Sequence, residues 1–78
     1  MYRLVKLVTN TQGISSEFIN PFGTENLAKV NYHTSLAAYY NDAGTQYAVV
    51  VILDEYGKEL QGFREVVDKR PAPEPTEE

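Results

Sequence analysis

Between Tyr47 and Leu53 the chain reads Tyr-Ala-Val-Val-Val-Ile-Leu, a continuous apolar run rich in β-branched side chains. Such side chains suit a pleated, extended backbone, so the run predicts a strand. It lacks the apolar/polar alternation of a strand with one wet face, which places it inside a sheet with both faces covered. In a chain of 78 residues without cysteine, the core is small and cannot be reinforced by disulfides. Packing or association must supply the remaining stability.

The flanking segments supply strands and one helix. Tyr2 to Thr9 predicts a first strand, with Leu4 and Val8 on one side and Val5 and Leu7 partly on both. Asn10-Thr11-Gln12-Gly13 forms a turn, Gly13 suiting positive φ. Ile14 to Ile19 predicts a second strand whose Ser15, Ser16 and Glu17 mark an exposed edge. Asn20-Pro21-Phe22-Gly23 is expected to break it, because proline cannot donate to a ladder. Thr24 is a helix N-cap, followed by Glu25 at the positive end of the helix dipole. The helix is expected to reach about Tyr40 and to close at Asn41-Asp42-Ala43-Gly44, with Gly44 as a left-handed cap or a loop glycine. Ala28, Tyr32, Leu36 and Tyr39 share one stripe at helical spacing and form its sheet-facing side. Asp54 to Lys58 reads as a hairpin loop with Gly57 left-handed. The last strand runs from Glu59 to about Val67, with a bulge at Gly62. Lys69 to Glu78 alternates prolines with acids and reads as a disordered tail, leaving one domain over 1–68.

A helix between the second and third strands makes those two parallel, which a tight turn cannot join. With the first strand between them, every neighbouring pair is antiparallel and both hairpins are satisfied. The expectation is an α+β fold, β-β-α-β-β, with a four-stranded antiparallel sheet in the order 2-1-3-4 and one helix on one face. The other face then has no cover within the chain. Tyr47, Val49, Val51 and Leu53 are its expected contribution to a protein interface, most simply with a second copy. Leu27, Val30, Thr34, Ala37 and Ala38 form a weaker apolar stripe on the helix and a second candidate surface, although small residues are also ordinary on a solvated helix.

The segment Asn31-Tyr32-His33-Thr34-Ser35-Leu36-Ala37, then Asn41-Asp42, a Val-rich strand and Asp54-Glu55-Tyr56-Gly57, resembles a group of small proteins encoded in prophages and integrative elements of Gram-positive bacteria. The opening Tyr-Arg-Leu-Val is similar to theirs, and the likeness reaches about Val67; the longer proline-acid tail departs from it. The resemblance implies a genomic setting and a strand-helix-strand core, and transfers no catalytic residue.

No motif supports catalysis, and no catalytic, cofactor or metal residue is expected. His33 is the only histidine; Lys29 and Ala37, four residues either side, offer no ligand at helical spacing. The serines sit in no nucleophile elbow and the glycines in no phosphate-binding loop. Asp54, Glu55 and Glu59 gather acid around the second hairpin without the ligand spacing of a calcium loop. That cluster reads as a solvated acidic surface, or alternatively as a nucleic-acid mimic inhibiting a host nucleic-acid enzyme. Six tyrosines suit core edges and interfaces. A formal charge of -4 argues against direct nucleic-acid binding. No stretch approaches the roughly 18 apolar residues of a membrane span, and a charged, cysteine-free chain suits the cytoplasm. The expected partners are therefore proteins: itself, or a host protein.

Overall fold

The structure, a computed structural model, describes residues 1–70. Strands β1 (Tyr2–Asn10) and β2 (Ser15–Phe22) precede helix α1 (Glu25–Asn41), and β3 (Thr45–Leu53) and β4 (Glu59–Asp68) follow it. The sheet order is β2-β1-β3-β4, antiparallel throughout. This is the α+β architecture that hairpin geometry and the long apolar run imply.

The core lies between α1 and one face of the sheet. Ala28, Tyr32 and Leu36 of the helix are buried against Leu4, Ala48, Val50, Ile52 and Val67, with Tyr39, Val8 and Phe63 packed at the margin. The predicted helical stripe is thus the sheet-facing one. β3 buries Ala48, Val50 and Ile52 completely, while Val49, Val51 and Leu53 are only half-buried. The unbroken apolar run therefore hides a real difference between its faces: the helix covers one, and only neighbouring side chains shelter the other.

Local signals account for most element boundaries. The Thr24 hydroxyl accepts from the Leu27 N–H at 3.2 Å, and Glu25 is bridged by Lys29 at 2.6 Å one turn on. Gly13 and Gly57 occupy the left-handed region at φ 84° and 82°, where a side chain would be strained. Gly62, at φ 87°, accompanies the register shift between Val51 and Leu53, which is the expected bulge.

Three expectations are corrected. Asn20-Pro21 does not end β2, which continues to Phe22; Pro21 stands opposite Arg3 on an edge strand, where its missing N–H removes no ladder bond. Gly44 is a loop glycine and not the left-handed cap, its other expected role, because Asp42 closes the helix in an extended conformation, φ -89° and ψ 112°. Its carboxylate accepts from the Gly44 N–H and the Thr45 hydroxyl, both at 2.9 Å, and this turns the chain into β3 two residues earlier than the apolar run begins. Lys69 and Arg70 do not belong to a free tail: the Lys69 N–H donates to the Gln46 carbonyl at 2.9 Å, and its ammonium to the Asp42 carbonyl at 2.6 Å. The rest of the proposed tail, 71–78, lies outside the described residues.

This core predicts a sharp contrast between two truncations. Ile52→Ala should lower unfolding stability by about 2–5 kcal/mol, whereas Val30→Ala, at a site 61% exposed, should change it by about 0.5 kcal/mol or less. Urea unfolding followed by far-UV circular dichroism measures both.

Candidate functional site

The strand register defines the uncovered sheet face residue by residue. Arg3 lies between Pro21 and Leu53, and Val5 between Ile19 and Val51. Leu7 lies between Glu17 and Val49, and Thr9 between Ser15 and Tyr47. On the far side, Val51 meets Arg64, Val49 meets Val66 and Tyr47 meets Asp68. Since these residues alternate with the helix-facing ones, they share one surface. Its centre is a contiguous block of Val5, Leu7, Ile19, Val49, Val51, Leu53 and Val66, among which Leu7 is 45% exposed. Charged groups stand around it. Arg64 is held by Glu59 at 2.8 Å, whereas Arg3 and Glu17 have no ionic partner among the described residues.

Of the residues predicted for this face, Val49, Val51 and Leu53 stand together as expected. Tyr47 is not free. The Arg70 guanidinium stacks over its ring, 4.7 Å from the centroid, and is itself fixed by two hydrogen bonds to Asp68. The contributions of Val5, Leu7, Ile19 and Val66 are not apparent from the central run alone, because they depend on register. The odd-numbered apolar positions of the first strand were the available signal.

The helix stripe lies on the other side of the molecule. Leu27, Val30, Thr34, Ala37 and Ala38 are exposed and face away from the sheet. Asn31, Thr34 and Asn41 turn their side chains back onto carbonyls one helical turn earlier, each at 2.9 Å. No single surface therefore joins this stripe to the open sheet face.

The acids of the second hairpin are engaged locally. Asp54 accepts from the Tyr56 N–H at 2.8 Å and the Lys58 N–H at 3.0 Å, and these bonds, that from Lys58 foremost, hold its carboxyl below the usual aspartate range. Glu59 serves Arg64, and Glu55 projects from the loop. Asp42 is likewise depressed, chiefly by the Gly44 N–H, and Asp68 falls to about 2 through its hydrogen bonds from Arg70. These carboxylates build turns and corners.

His33 is exposed and meets the rings of Tyr32 and Phe63 edge-on, at 5.2 and 6.1 Å between centroids. The Tyr40 hydroxyl donates to Glu65, a bond that raises its pKa, and burial raises that of Tyr32. Both phenols therefore stay protonated near neutrality. Among the described residues, no group of three or more His, Cys, Asp and Glu side chains is arranged to hold a metal ion. No helix among them is long and apolar enough to cross a membrane. A shallow groove of about 310 Å³ opens between the C-terminal end of α1 and β2, lined by Val8, Ile14, Phe18, Tyr39 and Thr45 among others. No protein-family model matches the chain, and no curated protein or solved structure matches it either.

The depressed aspartates fix the sign of an acid effect. A carboxyl with a folded pKa below its unfolded value adds stability above the unfolded value, about 4, and loses it as pH falls through the folded one. For Asp68 that window closes at about 2. Urea midpoints of the wild type should therefore fall between about pH 4 and pH 2, and Asp54→Asn and Asp68→Asn should each flatten that decline.

Proposed function

We propose that the protein acts by noncatalytic association, as a cytoplasmic homodimer in which the open sheet faces pack on one another, and that a mobile genetic element encodes it. The observation that carries this reading is the half-exposed central strand. Val49 stands between Leu7 and Val66, and Val51 lies beside Val5 with Ile19 beyond it, on a face that no element among the described residues covers.

Two such faces suit each other physically. Sheets pack about 10 Å apart with strands inclined by roughly 30°, and interdigitated aliphatic side chains fill the space. The open face offers branched residues at its centre and charges around them, the usual division between an interface core and its rim. Arg3 and Glu17 carry opposite charges on the same face without ionic partners among the described residues. A symmetric pair lets each meet its complement on the other copy. The genomic part of the proposal rests on the resemblance of the helix and second hairpin to small prophage and integrative-element proteins.

Sedimentation velocity over a micromolar concentration series tests the association. The wild type should sediment as a dimer. Leu7→Glu, which sets an unpaired carboxylate at the centre of the face, should raise the dissociation constant by about 100-fold or more. Its far-UV spectrum should remain native, because Leu7 is already 45% exposed within the subunit. A wild type that stays monomeric, or a variant that dimerises as well as the wild type, overturns the reading.

A further inference from the structure

Apart from the open face, a second surface stands unused among the described residues: the outer edge of β2, which pairs only with β1. Just ahead of this strand the Asn10 N–H donates to the Ile14 carbonyl at 2.9 Å, and Thr9 and Ser15 are the next residues opposite each other. Hydrogen-bonding direction alternates along an antiparallel pair. Ser16, Phe18 and Asn20 therefore turn their backbone groups toward β1, while Ser15, Glu17, Ile19 and Pro21 turn theirs to solvent. Pro21 falls in the outward set, which is why β2 runs through it without loss.

We propose that β2 pairs antiparallel with β2 of a second copy about a two-fold axis at Phe18, joining two subunits into one eight-stranded sheet. Outward backbone groups can meet only outward groups, so the central pairing must fall at Glu17, Phe18 or Ile19. Centring on Glu17 sets two carboxylates directly opposite, which is destabilising. Centring on Ile19 places Glu17 against the partner's Pro21, which returns no N–H. The Phe18 register separates the two carboxylates and moves the proline to the ends of the ladder, where it stands opposite Ser15 and leaves the central pairs complete. Glu17 and the partner's Ile19 exchange both bonds, and the Ser15 N–H reaches the carbonyl of the partner's Pro21.

Side chains agree with this register. On the helix side Phe18 meets its own counterpart, Ser16 meets the partner's Asn20, and Ile14 meets the partner's Phe22, so that aromatic, polar and apolar positions are each matched. In the single subunit Phe18 is 48% and Ile14 58% exposed. The helix leaves room for the approach, since it packs mainly over β3 and the groove beside β2 is open. The opposite edge is unsuitable: β4 is interrupted by the Gly62 bulge and carries Glu59, Arg64, Glu65 and Asp68.

Amide hydrogen exchange on the intact protein tests the edge separately from the face. At dimer-forming concentration the Glu17 and Ile19 N–H groups should exchange at least about tenfold more slowly than in a dilute monomer; packing of the open faces gives those amides no hydrogen-bond acceptor. Exchange at free-amide rates in a demonstrated dimer overturns the edge pairing and leaves the face proposal standing. A second measurement uses the absence of native cysteine. Phe18→Cys pairs across a separation of about 4.5 Å, within disulfide reach, and under mild oxidation should crosslink about 100-fold faster than Tyr56→Cys at the exposed hairpin tip. Persistence of that crosslinking in a Phe18→Cys/Leu7→Glu double variant establishes the edge and excludes dependence on the face. Equal rates for the two single-cysteine variants overturn the edge pairing.

Discussion

The burial of β3 beneath one helix is the constraint on which the rest of the molecule depends. Ala48, Val50 and Ile52 lose all contact with solvent, and Ala28, Tyr32 and Leu36 are the residues that remove it. A buried backbone at the middle of a sheet must be hydrogen-bonded along both edges. β1 and β4 supply those bonds, and the connection through α1 leaves β2 no position except outside β1. The same constraint leaves one face without a layer among the described residues, where a single helix of 17 residues is the only element available to cover a sheet.

This dependence explains what was legible in the sequence. The helix stripe, the hairpin glycines and the interior strand each express a local rule of spacing or backbone freedom, and together they fix the strand order. The membership of the open face was only partly legible: Val49, Val51 and Leu53 belong to the central run, but the placement of Val5, Ile19 and Val66 beside them depends on register across three strands. The sequence does not show that Tyr47 is covered, because the stacking of Arg70 depends on its capture by Asp68, a contact made only once β4 is in place. Pro21 suggests a stop because proline is disfavoured in a ladder; the rule fails where a strand has only one neighbour.

The two proposed contacts would differ in what makes them adhesive. The open face would rely on branched apolar side chains, which tolerate small changes of angle and register. The β2 edge would rely on directional backbone bonds, which fix register strictly. The helix lies away from both. Asp54, Asp42 and Asp68 are occupied in turns and corners, and Tyr40 donates to Glu65.

The bulge at Gly62 bears on more than the shape of β4. A sheet with two regular free edges can add subunits from either side and grow without limit, as in cross-β fibrils. Here the left-handed glycine bends one margin out of register, and the other is regular up to a proline. In the proposed pairing, a subunit with one receptive margin would be consumed by its first lateral partner, so a single glycine would convert open-ended growth into assembly that stops.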